Sequence, residues 1–128
     1  MIVMRKLFTM IFMTLDITAQ GRKRREIIET LRQIARPVET LPGCRGCRIC
    51  QEINTKNILT YVEEWETESD LEHRIRSDQF RKVLEVMEFS SAPPELRFLT
   101  VTQNIGLETV EMIRGLGPVP LILNRKGG

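Results

Sequence analysis

Aromatic and imidazole side chains are scarce in this chain. Its 128 residues include one tryptophan, one tyrosine and one histidine. Chemistry that needs an indole, a phenol or an imidazole therefore has one place to be, because Tyr61, Trp65 and His73 all fall within the stretch from Tyr61 to Phe80. An excess of charge is missing too. Lys and Arg number 19 and Asp and Glu 17, a formal net charge of +2. That balance gives no electrostatic basis for nucleic-acid binding. No apolar run is long enough to span a bilayer, and no internal repeat is present. Cysteine occurs three times, at Cys44, Cys47 and Cys50. The odd count argues against a complete disulfide framework and fits a reducing compartment. Three thiolates also fall short of the four ligands usual for a structural metal or cluster site. On a strand Cys44 and Cys50 would share a face and Cys47 would take the other. Buried small apolar side chains are the plainer reading.

The length favours one domain with a single modest core. Met1 to Lys6 followed by apolar Leu7 to Leu15 has the outline of a secretory leader, but Asp16 and Ile17-Thr18-Ala19 make a poor cleavage site. The same residues read well as a strand, and the protein as cytoplasmic. The basic run Arg22-Lys23-Arg24-Arg25 opens a helix, where the macrodipole disfavours it. A solvated turn is the plain reading and an anion site the alternative.

Leu7 to Thr18 is expected to be a strand with apolar residues on both faces. Gln20-Gly21 breaks it. A helix follows from about Lys23 to Leu41, with Ile27, Ile28, Leu31, Ile34, Ala35, Val38 and Leu41 on one stripe. Pro37 should disturb its end and Pro42-Gly43 stop it. Cys44 to Ile53 and Ile58 to Trp65 read as strands joined by the polar turn Asn54-Thr55-Lys56-Asn57. Thr67 to Asp70 offers helix caps. Leu71 and Ile75 should then face inward, followed by Phe80, Val83, Leu84 and Met87. Glu95 to Gln103 reads as a fourth strand. The order strand, helix, strand, strand, helix, strand predicts a ferredoxin-like α+β fold, a four-stranded antiparallel sheet with helices on one face. The strands are apolar on both sides, so a second copy of the chain is expected to cover the open face, which makes a homodimer. Beyond this, Leu107, Val110 and Ile113 suggest a short helix capped near Gly115, and Gly117 to Leu123 an extended arm.

Given this order, Pro42-Gly43-Cys44, Glu63-x-Trp65, Leu71-x-His73 and Ser77-x-x-Phe80 make the chain resemble the antibiotic biosynthesis monooxygenase (ABM) family. The resemblance divides it into an N-terminal extension (1–6), an ABM-like domain (7–104) and a C-terminal helix and arm (105–128). It implies a dimeric α/β barrel. It also implies oxidation of a small aromatic or quinol-type substrate by O₂ without metal, flavin or other cofactor. Many relatives have no proven activity, so a non-catalytic ligand-binding or regulatory dimer is the alternative. Haem handling is disfavoured, since Arg81-Lys82-Val83-Leu84 after Phe80 offers no iron ligand. Partners are expected to be a second copy and a small aromatic molecule, with neither nucleic acid nor membrane.

Within that reading Trp65 is a core anchor or a pocket wall against a planar substrate, its N–H donating to a substrate oxygen. His73, some 160–200° from Leu71 and Ile75 on an ideal helix, points away from the core. It is either an exposed polar residue or the base that takes a phenol proton. Tyr61, Phe80 and Asn54 complete the substrate-binding candidates, although Asn54 also suits a plain turn. Glu63 and Glu64 are adjacent and face opposite ways. Glu63 is expected to form a salt bridge to Arg97 or to act in catalysis.

Overall fold

A computed structural model describes residues 9–55 and 57–115. The expected N-terminal extension, with Leu7 and Phe8, and the extended arm from Gly117 lie outside the described residues.

The elements run β1 (Met10–Thr18), α1 (Gly21–Val38), β2 (Cys44–Gln51), β3 (Ile58–Trp65), α2 (Glu68–Arg76), a 3₁₀ turn (Asp78–Phe80), α3 (Arg81–Met87), β4 (Glu95–Val101) and α4 (Leu107–Ile113). The strands form one antiparallel sheet in the order β2-β3-β1-β4. This is the expected ferredoxin-like α+β fold.

Period-two alternation in β1 gives the sheet its buried side. Ile11, Met13, Leu15 and Ile17 are each at most 3% exposed, while the residues between them are half-buried. They pack with Leu59, Tyr61 and Trp65 of β3 beneath Ile27, Leu31, Ile34 and Val38 of α1 and Phe80, Val83 and Val86. The helix stripe is as expected up to Val38. There α1 ends one residue after Pro37, and Leu41 falls beyond the helix, partly exposed. Two inward residues differ from expectation. Ile75 is 39% and Leu84 49% exposed. Their inward places go to Arg74 and Val86, three residues after Leu71 and Val83. Both helices are short, so an i+3 neighbour meets the sheet as well as an i+4 neighbour does. In α2 the ion pair described below takes that place. The α4 helix forms where expected, but Val110 and Ile113 are exposed.

The open side of the sheet is mixed rather than apolar throughout. Phe12 pairs with Leu99 and Met10 with Val101 at one end. At the other, Asp16 accepts a 2.7 Å hydrogen bond from Thr60 and lies 3.4 Å from Arg97. Among the described residues no helix is long and apolar enough to cross a membrane.

The α1–β2 connection depends on Gly43, whose φ of +86° belongs to the left-handed region. A Cβ there would stand 2.8 Å from Asp70 Cβ and collide with the Asp70 carboxylate. Asp70 belongs to the cap of α2, where Thr67 accepts from its N–H at 3.0 Å and donates to its carboxylate at 2.8 Å. Gly43→Ala is expected to lower stability by about 1–3 kcal/mol through strain at this φ and to loosen the start of α2. Urea unfolding with native-state hydrogen exchange at residues 68–71 checks both effects.

Candidate active site

The site is built at the end of β3, where alternation places Tyr61, Glu63 and Trp65 on the helix side. All three are at most 1% exposed. A carboxylate there needs full compensation, since an unpaired buried charge is costly. Glu63 has it. Its Oε1 accepts from Trp65 Nε1 at 3.0 Å and Arg74 Nε at 3.2 Å, and its Oε2 accepts from the Tyr61 hydroxyl at 2.5 Å and Arg74 Nη2 at 2.8 Å. Four donors fill the lone-pair positions of the carboxylate. Burial alone would lower the Arg74 pKa, but the hydrogen bonds and charge of Glu63 outweigh it and hold the guanidinium protonated. One face of that guanidinium lies over the Phe80 ring, 5.2 Å from its centroid.

The expected pairing of Glu63 with Arg97 is thus replaced. Arg97 lies on the open side of the sheet with Asp16 and Glu95, since β4 pairs Arg97 with Thr14 rather than with an inward residue. Arg74 was missed as a site residue. Its spacing of three from Leu71 was the available signal.

Arg74, but not Glu63, belongs to the lining of a cavity of about 470 Å³, together with Leu41, Pro42, Trp65, His73 and Gln79. A second cavity of about 150 Å³, toward Pro37 and Lys82, shares Leu41, Arg74 and Gln79 with the first. The structure therefore brings Trp65 and His73 to one cavity. His73 is exposed at its rim. Trp65 presents its ring, because its N–H is already held by Glu63. Tyr61 is sealed behind Glu63, and Phe80 reaches the site only through Arg74. Asn54 is exposed in the β2–β3 turn and belongs to neither cavity.

The cysteines divide differently from the simple alternation. A register shift between Cys44 and Gly46 opposes an extra residue to β3. Cys44 and Cys47 consequently both pack on the core, and the exposed Cys50 lies on the open side opposite Thr60. No group of three His, Cys, Asp or Glu side chains among the described residues is placed to hold a metal ion. The Cys47 sulfur is 3.8 Å from the Tyr61 hydroxyl.

Burial pushes the Cys47 thiol up from 9.0 to about 12. Burial and the adjacent Glu63 charge push the Tyr61 phenol up as well. In both cases the folded chain holds a proton that the unfolded chain releases at lower pH. Stability is therefore intact below about pH 9 and falls as pH rises from about 9 toward about 12. Urea midpoints should be lower at about pH 11 than at about pH 8, and Cys47→Ala should remove part of the fall.

An open-sheet ferredoxin-like domain with a cavity between its sheet end and helices defines the structural class. The chain belongs to the antibiotic biosynthesis monooxygenase (ABM) family, whose model matches residues 10–86. Solved structures share the fold. A conserved protein from Methanosarcina mazei Go1 superposes with a TM-score of 0.65 at 21% identity, covering 80% of this chain and 99% of that one. A candidate antibiotic biosynthesis monooxygenase from Bordetella bronchiseptica gives 0.60 at 24% identity, over 76% of this chain and 98% of that one. No curated protein matches the sequence.

Proposed function

We propose that the chain is a cofactor-independent monooxygenase that oxidises a small aromatic or quinol-type substrate with O₂ in the cavity beside Trp65. The observation that carries this reading is the meeting of a flat indole wall, a rim imidazole and a buried guanidinium around 470 Å³ in an ABM-family fold. The ring of Trp65 stacks the substrate and His73 takes a phenolic or benzylic proton, which leaves an electron-rich anion for O₂. With an anthrone, one oxygen atom enters as the new carbonyl. The other leaves as water, carrying the two hydrogens of the oxidised methylene. Tyr61 and Phe80 hold the site from behind through Glu63 and Arg74. Asn54 would join it only if the β2–β3 turn of a second copy approaches.

We read the chain as a homodimer joined through the apolar end of the open sheet side, around Phe12 and Leu99, and the domain as residues 7–104. Sedimentation at micromolar concentration should return twice 14.9 kDa, and Phe12→Asp should halve the mass.

Oxygen uptake with anthrones and hydroquinones tests the reaction. Uptake above the uncatalysed rate with stoichiometric product supports it, and none with either class overturns it. The second reading, a dimer that binds a small ligand without turning it over, is favoured by one fact: the Trp65 N–H is spent on Glu63. Saturable binding without oxygen consumption would establish that reading instead.

A further inference from the structure

The three cysteines are evenly spaced in sequence but not in space. Cys44-Arg45-Gly46-Cys47 and Cys47-Arg48-Ile49-Cys50 have the same spacing, so sequence alone gives Cys47 two equivalent neighbours. On a regular strand, residues three apart face opposite ways, with Cα atoms about 10 Å apart at about 3.3 Å per residue. Cys47 and Cys50 keep that arrangement. Cys50 lies on the open side of the sheet opposite Thr60, and Cys47 packs on the core opposite Glu63. The bulge frees Cys44 from it. Cys44 stands opposite Trp65 and Cys47 opposite Glu63, so the two span two steps of β3 rather than three. They share a face at about 6.6 Å between Cα atoms by the same rise. That is near the top of the range a disulfide spans, about 4.4–6.8 Å, and Gly46 between them lets the backbone adjust. The two side chains already meet, each thiol a hydrogen-bond partner of the other. Both residues are half-buried and neither is in a disulfide.

We propose that Cys44 and Cys47 are a redox modification site, a dithiol that hydrogen peroxide closes to a disulfide and a dithiol reductant reopens. It holds whether or not the cavity turns over a substrate. Burial raises both thiols, but the contact between them favours a thiolate at Cys44 and a protonated Cys47. Cys44 is therefore the attacking sulfur. Its thiolate bonds to one peroxide oxygen, the O–O bond breaks, and the other oxygen leaves as water, with Cys44 left as a sulfenic acid. The Cys47 sulfur then attacks that of Cys44, the S–O bond breaks, and a second water carries off the Cys47 proton. Two thiols and one peroxide give one disulfide and two waters, the sulfurs losing two electrons to the peroxide. A dithiol reverses the bond by two exchange steps. Neither thiol is acidified, so the pair suits slow modification of this chain rather than exchange with other proteins' disulfides. The bond replaces the thiol that lies 3.8 Å from the Tyr61 hydroxyl, and that hydroxyl donates to Glu63. The oxidation state of β2 is thereby linked to the buried end of β3.

The test treats the full, reduced chain with hydrogen peroxide, blocks remaining thiols by alkylation and maps the products by mass spectrometry. Trypsin cuts after Arg45 and Arg48, so each cysteine falls in its own peptide and the two pairings are told apart. The intact chain should lose two hydrogens without forming a covalent dimer. In the folded chain the Cys44–Cys47 linkage should exceed Cys47–Cys50 by about ten-fold or more, since only the first pair lies within disulfide reach. In urea, where the strand is gone and the spacings are equal, the ratio should fall to near one. Cys50→Ser should keep the linkage, and Cys44→Ser should abolish it without moving it to Cys50. Dithiothreitol should restore both thiols. Comparable amounts of the two pairings in the folded chain overturn the assignment. So does oxidation of Cys44 or Cys47 to sulfinic acid with no linked peptide. The wild-type digest decides even if a variant does not fold.

Discussion

Glu63→Leu is expected to cost about 3–5 kcal/mol of folding stability, the usual penalty for removing one partner of a buried ion pair. Glu63 is 0% and Arg74 2% exposed, so water cannot take over when the carboxylate is gone. Three donors lose their acceptor at once: the guanidinium, the Trp65 N–H and the Tyr61 hydroxyl. The pair itself is a different matter. Well-packed apolar replacements for both members of a buried pair are often neutral, so Glu63→Leu combined with Arg74→Met should recover much of the loss. The double variant would still leave Tyr61 and Trp65 to find new acceptors, which limits the recovery. Urea unfolding of the wild type, both single variants and the double variant closes the thermodynamic cycle. A Glu63→Leu loss below about 1 kcal/mol would mean that the carboxylate is not the centre of this end of the fold.

His73→Ala is expected to lower the oxygen-uptake rate by about 10²–10⁴-fold, the range for losing a positioned general acid or base. Its effect on stability should stay within about 0.5 kcal/mol, because the side chain is exposed at the cavity rim. The two readouts together separate a chemical role from a structural one. Added imidazole should restore part of the rate if His73 moves a proton. An undiminished rate in the variant would remove the role altogether. Trp65→Phe gives the contrasting pattern. It keeps a flat wall but takes a donor from Glu63, so stability and KM should suffer before kcat does.

The fold was legible because its signals are local and repeated. The apolar run of β1, the stripe of α1 from Ile27 to Val38 and the cap at Thr67 each point to one structure, and the element order follows from them. The contacts at the site were less legible because they depend on register. Glu63 shares parity with Trp65, which marks it in the sequence as an inward partner for a cation. The partner is not Arg97, because the β1–β4 register, which is not written in the β4 sequence, sends that side chain outward. Arg74 was hidden by residue type: on a short helix the apolar Ile75 looked like the core residue. The buried place went to the arginine, whose charge the carboxylate already in the core required. Trp65 and His73 were visible because each is the sole residue of its kind, although the sequence could not tell that the indole N–H was already engaged.

The extra residue between Cys44 and Gly46 acts as a phase change in the strand. Anyone comparing this chain with a relative lacking that residue must place the gap there. Sliding it past Cys47 toward Ile49 would assign the sulfur beside Tyr61 to the wrong surface, and with it one of the two groups whose raised pKa weakens the fold at alkaline pH.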